Sequence, residues 1–507
     1  MLKELLELRP AAACFTISSR AETSPVGPEE LLRRIECAAA QLQSARVKPG
    51  ERILFSGEQG LPAFVTFWAT VATGAAFVPI DPTWPLPMRR KALEKARPGL
   101  VIVEDADDIS RWPLSASCAP ALIHVDAYGA LGMPLAPAGF APVTTSAEMA
   151  AACLFTSGST GDPKVVVLSR QALLHSAALV VDTFEWQRRE RLVNLPDPHT
   201  MSGLRNAFLA APLAGMEWQC SPRPSRAELS GLLDLLVKLR PERLVAAPML
   251  LRYLNLLGDR VDAGILASVK ALYCTGSDLN QHEVKQFHAR FGIPVINYYG
   301  MTETVGLCLS QRLQNWEPGD TSIGSPVSCE VRVVDAHGEP VPRGDAGELQ
   351  VRLAYPMTGY LDDPGATADR FDGAWLRTGD LVIHASDGRV TITGRSASFI
   401  KTTATERVQP QEIEVVLEQC PGVAEAAAFG LPDAGGGELI AVLLVADPEI
   451  AESCLPSEAE LATFARNRLG PGRSPRIFQW VLAIPRNTGG KILRGRLRDS
   501  LDASRSR

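Results

Sequence analysis

Residues 154–169 read LFTSGSTGDPKVVVLS, which gathers Thr156, Ser157, Ser159 and Thr160 with Gly158 and Gly161 and follows them with Pro163 and Lys164. Glycines let successive backbone amides turn toward one ligand, hydroxyls donate further hydrogen bonds and the lysine adds charge. That chemistry suits a polyphosphate. Apolar Cys153 to Phe155 before the turn and β-branched Val165 to Val167 after it predict strand, loop, strand. In the nucleotide P-loop the lysine opens a helix instead, and Pro163 stands where that pattern has its last glycine. A plain Gly/Ser hairpin tip is the structural alternative. Other polar runs follow apolar ones: NYYGMTET (297–304), LRTGDL (376–381), Gly394-Arg395 and PRNTGGKILR (485–494). Taken singly, NYYG reads as an aromatic turn, TGD as a turn, and Lys491 as a solvated charge.

Together, in this order and with FVPIDPTWP at 77–85, these runs resemble the adenylate-forming superfamily: acyl- and aryl-CoA ligases, amino-acid adenylation domains and luciferases. The resemblance covers nearly the whole chain. It implies that a carboxylate attacks the α-phosphate of ATP, releasing pyrophosphate and leaving an acyl-AMP. Because both partners are anions, catalysis must rest on charge neutralisation and positioning. By resemblance, Thr156, Ser157, Gly158, Ser159, Thr160, Gly161 and Lys164 hold the β- and γ-phosphates. In NYYGMTE, Asn297 bonds the adenine, Tyr299 stacks on it, Tyr298 and Gly300 complete the nucleotide contact, and Thr302 reaches the α-phosphate. Glu303 and Thr160 are the implied Mg2+ ligands, a carboxylate being suited to a hard ion. Asp380 accepts from the ribose hydroxyls with help from Arg395, and Gly276, Ser277 and Asp278 line the adenine and acyl pocket. Lys491 bridges the acyl carboxylate and the α-phosphate, and His199 in LPDPHTMSG gates the acyl pocket. Arg494, Arg496 and Arg498 read as a solvated stripe.

The sequence departs from the family pattern in two places that bear on substrate and acceptor. Amino-acid-activating members carry an Asp just after the histidine region to pair with the α-amino group. Here Met201-Ser202-Gly203 stands there, and Ser202 supplies no charge. A small carboxylic acid without a free α-amine is therefore the expected substrate. After Gly394-Arg395, Ala397 occupies the usual hinge position, and Thr403, Ala404 and Thr405 replace glycines that let a thiol arm approach. Val165 likewise stands where a glycine commonly follows the lysine. The leading expectation is transfer to a pantetheine thiol on CoA or a carrier protein. Transfer to an amine is the alternative, and a non-catalytic nucleotide- or acyl-binding homologue is the reading from another class.

These residues must be positioned by an α/β frame. The chain has 507 residues, 46% hydrophobic and 21% charged, with a net charge of -6; length predicts more than one domain. The charge disfavours a nucleic-acid surface, and Arg89, Arg90 and Lys91 read as a solvated helix face. Ten cysteines without a CxxC pair or metal spacing read as reduced, mostly buried thiols of a cytoplasmic protein. The amphipathic start MLKELLELRP lacks signal-peptide features, and residues 67–80 are too short and broken to span a membrane. Periodicity predicts a helix at 29–42 with Leu32, Ile35, Ala39 and Leu42 on one stripe. Strands ending in polar turns are expected at 74–85, 269–279 and 293–304, the strand ends where open α/β sheets place ligands. From about residue 320 short strands and Gly/Pro/Asp turns predict a small β unit. A helix from Pro410 with Ile413, Val416 and Leu417 on one face, apolar strands, and a helix near 457–469 predict a compact α+β domain. The expected division is 1–395, binding ATP and acid, and a mobile lid at 396–507 carrying Lys491.

Overall fold

Strands that are apolar on both faces need cover on both sides, and two sheets of this protein are built from such strands. In the computed structural model, residues 15–18, 25–105, 112, 121–133, 139–141, 143–156, 163–220, 229–276, 279–395, 400–402, 407–433, 438–447, 450–470, 472–486 and 492–505 are described. Among them, a seven-stranded sheet orders Gly359–Tyr360, Lys164–Ser169, Ala150–Thr156, Ala76–Ile80, Arg52–Ser56, Leu100–Val103 and Ala121–His124. An eight-stranded sheet orders Thr16–Ser18, Glu217–Gln219, Arg191–Asn194, Arg243–Ala246, Ala271–Cys274, Val295–Met301, Gly306–Ser310 and Ser325–Pro326. Ile53 and Phe55 enter a core shared with the second sheet, while Leu54 between them enters the core on the opposite face.

The shared core also takes in helices Pro28–Ser44, Leu61–Ala72 and Arg170–Phe184 and the helical run 201–214. Every residue from Leu61 to Val71 is buried, which is why LPAFVTFWATVA is apolar all round. Its Phe64 and Phe67 lie 5.6 and 5.7 Å from Phe208, tying this helix to the run that borders the site. The stripe of Pro28–Ser44 is turned slightly from expectation: Leu31, Ile35, Ala38, Ala39 and Leu42 are buried, and Leu32 only partly. Arg89 also departs from the solvated face expected of it. It is buried, and its guanidinium donates to Trp84 O and Pro82 O at 2.8 and 2.7 Å, pinning the turn that ends Ala76–Ile80.

An antiparallel sheet follows: Cys329–Val334, Ala346–Leu353, Trp375–His384 and Phe371–Asp372, with Val390–Arg395 on the far edge of Trp375–His384. Two further cores draw only on residues from Ile400 onward. They are formed by helix Pro410–Leu417, helix Glu458–Leu469 with its Ser457 capping box, and the sheet Val423–Pro432, Glu438–Ala446, Ile477–Trp480. Val416 is only partly buried, and Glu414 is buried instead. The reason is Arg494, which is no solvated charge: its guanidinium grips Glu414 in a bidentate pair at 2.6 and 3.0 Å and donates to Ala428 O at 2.9 Å. Arg496 and Arg498 are exposed. The C-terminal elements meet the rest at a charged seam. Arg252 lies 2.6 Å from Glu283 and 3.3 Å from Glu425, and Asn280 donates to Glu418 at 2.9 Å.

No helix among the described residues is long and apolar enough to cross a membrane. The described cysteines are free thiols, Cys153, Cys274, Cys308 and Cys420 among them buried. Residues 1–14, with the amphipathic start, lie outside the described residues.

Candidate active site

Val295–Met301 carries most of the site because it changes partners midway. It runs parallel to Ala271–Cys274 as far as Asn297, then antiparallel to Gly306–Ser310 from Tyr298 onward. The motif therefore projects from the carboxyl edge of a parallel sheet, where such sheets bind ligands. Gly300 is obligatory in this hairpin, since a Cβ there would lie 1.6 Å from Gly306 O.

Alternation along the strand then sorts the side chains. Asn297 Nδ2 donates to Thr321 O and Ser322 O at 3.1 and 3.0 Å, leaving Oδ1 as its acceptor. On the same face Tyr299 Oη donates to Asp380 Oδ2 at 2.5 Å. Burial first, and then the Asp380 charge, pushes the Tyr299 phenol well above its ordinary value. Asp380 is 1% exposed; Arg395 Nε lies 2.7 Å from its Oδ1 without an aligned hydrogen bond, so that oxygen is still short of a donor. Asp380 is also opposite Arg395 in the sheet register. Tyr298 points the other way, which separates it from the nucleotide residues with which the sequence grouped it. Its hydroxyl donates to Ser202 Oγ at 3.2 Å and accepts from Asn206 Nδ2 at 3.4 Å.

The hairpin's turn holds Thr302 and Glu303. Val305 N donates to Thr302 O at 3.0 Å, and Val305 adopts φ +58, a left-handed conformation costly for a β-branched residue and typical of constrained sites. Glu303 is 5% exposed. Its Oε1 accepts from Tyr360 Oη at 2.7 Å and lies 3.6 Å from Arg370 Nη2. Burial and the adjacent Glu303 charge raise the Tyr360 phenol above its ordinary value. The Tyr360 ring carries Lys164 Nζ 4.7 Å from its centroid. Tyr360 thus joins Lys164 to the acidic residue of the turn. It reaches that place because Gly359–Tyr360 adds to the sheet beside Lys164–Ser169. Sequence reasoning missed both Tyr360 and Arg370; the only local signal is the Gly359-Tyr360 pair before an Asp-Asp-Pro turn.

Lys164 and Thr156 face each other across an antiparallel pair, so the strand, loop, strand expectation describes both flanks. Residues 157–162, with Ser157, Gly158, Ser159, Thr160 and Gly161, lie outside the described residues, as do Ser277, Asp278, Lys491 and the departures Ala397, Thr403, Ala404 and Thr405. Gly276 ends Ala271–Cys274 with φ +94 and is exposed. His199 Nε2 sits 3.9 Å from Asp81 Oδ2, at the end of Ala76–Ile80. For Mg2+, Glu303 offers a buried carboxylate whose Oε2 is left for an ion. Among the described residues no group of three or more His, Cys, Asp or Glu could hold a metal. A single carboxylate fits an ion whose other ligands are phosphate oxygens and water.

The family model described as AMP-binding enzyme matches residues 25–361, and the one described as AMP-binding enzyme C-terminal domain matches 412–491. The sulfoacetate–CoA ligase of Cupriavidus necator is 32% identical over 347 residues, 68% of this chain and 66% of that protein. The fatty acid–[acyl-carrier-protein] ligase ScoC of Streptomyces coeruleorubidus is 26% identical, over 93% of this chain and 91% of its own. ATP-bound MatB from Rhodopseudomonas palustris superposes with a TM-score of 0.86 at 25% identity, covering 96% of this chain and 95% of MatB. The chain belongs to the AMP-binding enzyme family of adenylate-forming acid ligases.

Proposed function

We propose that this protein activates a small carboxylic acid with ATP as an acyl-adenylate and passes the acyl group to a pantetheine thiol, on CoA or on a carrier protein. The observation that carries the reading is the hairpin 295–310. One face holds Asn297 and Tyr299 for a nucleoside, with Asp380 of Trp375–His384 bonded to Tyr299, and its turn holds Thr302 and Glu303 with Lys164 one ring away. In the first step a carboxylate oxygen of the acid attacks the α-phosphorus, the bond to the β-phosphate oxygen breaks, and pyrophosphate leaves. Thr156, Lys164 and the loop 157–161 hold the departing phosphates. Thr302 faces the α-phosphate, and Asp380 with Arg395 holds the ribose. Glu303, with Thr160, would hold Mg2+, which when bound neutralises phosphate charge. In the second step the thiol sulfur attacks the acyl carbon and AMP leaves.

Lys491 belongs to this proposal as the bridge between acyl carboxylate and α-phosphate, carried by a lid at 396–507 that closes on 1–395. Closure of such a unit excludes water and completes the charge set. His199 with Asp81 borders the acid. Relatives named for sulfoacetate, fatty acids and ferulate differ in their acids and acceptors, so the family alone leaves the acid open. Pyrophosphate exchange across a panel of acids tests the first step. At least one acid supports exchange, and Lys491→Ala lowers it by about 10²–10³, as loss of one preorganised charge does. Exchange that survives Lys491→Ala unchanged removes the assignment of that lysine. The preformed acyl-AMP is then offered to CoA, to a phosphopantetheinylated carrier and to amines, and amide without thioester overturns the thiol acceptor.

A further inference from the structure

A buried arginine with no acid partner among the described residues stands behind the hairpin 295–310. Arg205 closes the short helix Met201–Arg205 and is 0% exposed. Its Nε donates to Asn206 Oδ1 at 3.0 Å, its Nη1 reaches Ser176 Oγ at 3.5 Å and its Cζ lies 5.8 Å from the Tyr298 ring centroid, but among the described residues Nη2 has no hydrogen-bond partner. Among the described residues no carboxylate pairs with it. Burial pushes its proton affinity down, and only Tyr298 and Cys308 oppose that shift. A guanidinium held without a counter-charge is expensive to bury, and neutral oxygens repay little of that cost.

Its position gives the charge a use. A Cβ on Gly306 would lie 2.1 Å from Arg205 Nη1 and 3.2 Å from Met201 Cγ. The guanidinium therefore rests against the backbone that directly follows the Thr302–Val305 turn. Ser176 Oγ donates to Val305 O, so the strained turn and the arginine share one partner. The segment Asn206–Ala210 that follows is a π-helix, a distortion frequent at functional sites. In the same cluster Tyr298 Oη links Ser202 Oγ and Asn206 Nδ2, and none of the three residues carries a negative charge.

We infer that Arg205 receives a second anionic group at the far end of the acid, so that the substrate is a short carboxylic acid with a terminal carboxylate or sulfonate. This rests on the adenylation reading above. The reacting carboxylate lies at Thr302 and the tail runs past Gly306, with Met201, a flexible side chain, moving aside to admit it. Thr302 and Val305 close a turn whose ends lie under about 7 Å apart, and Gly306 is the next residue, so an acid reaching from Thr302 to a guanidinium against Gly306 is short. Nη2 supplies the free donor and the anion the missing charge, a charge-assisted pair of the strong kind.

The test is pyrophosphate exchange by the full chain with chain-length-matched acids: succinate, glutarate and sulfoacetate against butyrate, valerate and propionate. The anionic-tail acids are expected to give a kcat/KM at least about tenfold higher, as one well-made charged contact supplies. Arg205→Met should erase that preference mainly through KM, and Arg205→Lys should keep part of it; a merely structural arginine leaves the ratio unmoved. Exchange confined to uncharged-tail acids overturns this inference and leaves the adenylation reading standing. Exchange with no acid at all counts against that reading and this inference together. The wild-type ratio decides the matter even if a variant fails to fold.

Discussion

Arg243 and Arg205 are both withdrawn from solvent, 5% and 0% exposed, yet their surroundings are opposite. Arg243 forms a bidentate pair with Glu190 at 2.9 and 3.0 Å and donates to Tyr273 Oη at 2.7 Å, while Lys270 reaches the same carboxylate at 2.8 Å. Burial works against its charge, but Glu190 outweighs it and holds the guanidinium above its ordinary value. At Arg205 burial wins and the affinity falls. A buried charge that the fold completes serves the fold; one that it leaves incomplete is available to a ligand.

The strongest way to break this contrast is to strip the completed pair. Glu190→Ala leaves Arg243 buried and unpaired and should cost about 3–5 kcal/mol of stability, read as a lower denaturant midpoint at unchanged slope. Glu303 stands between the two cases: among the described residues its carboxylate meets Tyr360 and a more distant Arg370. Tyr360→Phe removes a hydrogen bond to a charged group, worth about 1.5–3 kcal/mol. Pyrophosphate exchange should fall by about tenfold or more, and the denaturant midpoint should drop by less than for Glu190→Ala. A stability change far below that for Glu190→Ala is expected for Arg205→Met, within about 1 kcal/mol, because no carboxylate is left unpaired and the relief of a buried charge offsets the neutral hydrogen bond lost to Asn206. A loss as large as that of Glu190→Ala would erase the distinction between the two arginines.

The mildest effect belongs to the seam. Burial holds the Glu418 carboxyl at about 7, above its ordinary 4.5, with Arg252 and the Ala426 amide pulling it down and Glu283 and Glu414 pushing it up. A raised carboxyl binds its proton more tightly in the docked form, so docking is favoured at low pH and weakens as pH rises from about 4.5 to about 7. Hydrogen exchange of residues 407–433 across that range should show the slope, and Glu418→Gln should flatten it. A slope untouched by the substitution would assign the dependence to Glu283, whose carboxyl burial also raises.

Much of this site was legible because adjacency in sequence survives folding within a strand or a turn. NYYGMTE keeps its residues within one hairpin, TGD stays within one strand, and Thr156 and Lys164 face each other across one strand pair. What was misread required a partner distant in sequence. Arg494 looked solvated until Glu414, 80 residues away, was placed under it. Arg89 looked like part of a basic face until its helix turned it back onto the carbonyls of Pro82 and Trp84. Tyr360 looked like any tyrosine until its two-residue strand paired with Lys164–Ser169 and set its hydroxyl on Glu303.

By itself, then, the sequence determined which residue types stand together: the hydroxyls and glycines before Lys164, the aromatic and acidic run NYYGMTE, and the apolar patterns of two α/β sheets, each encoded by local spacing and period. After His199 it places Met201-Ser202-Gly203, none of them charged. Only the tertiary structure decided which buried charges are complete. Pairing depends on which strands lie side by side and which carboxylate lands beside a guanidinium, and neither is written in the neighbouring residues. That is why Arg243 and Arg205, indistinguishable as letters, differ in what they are free to bind.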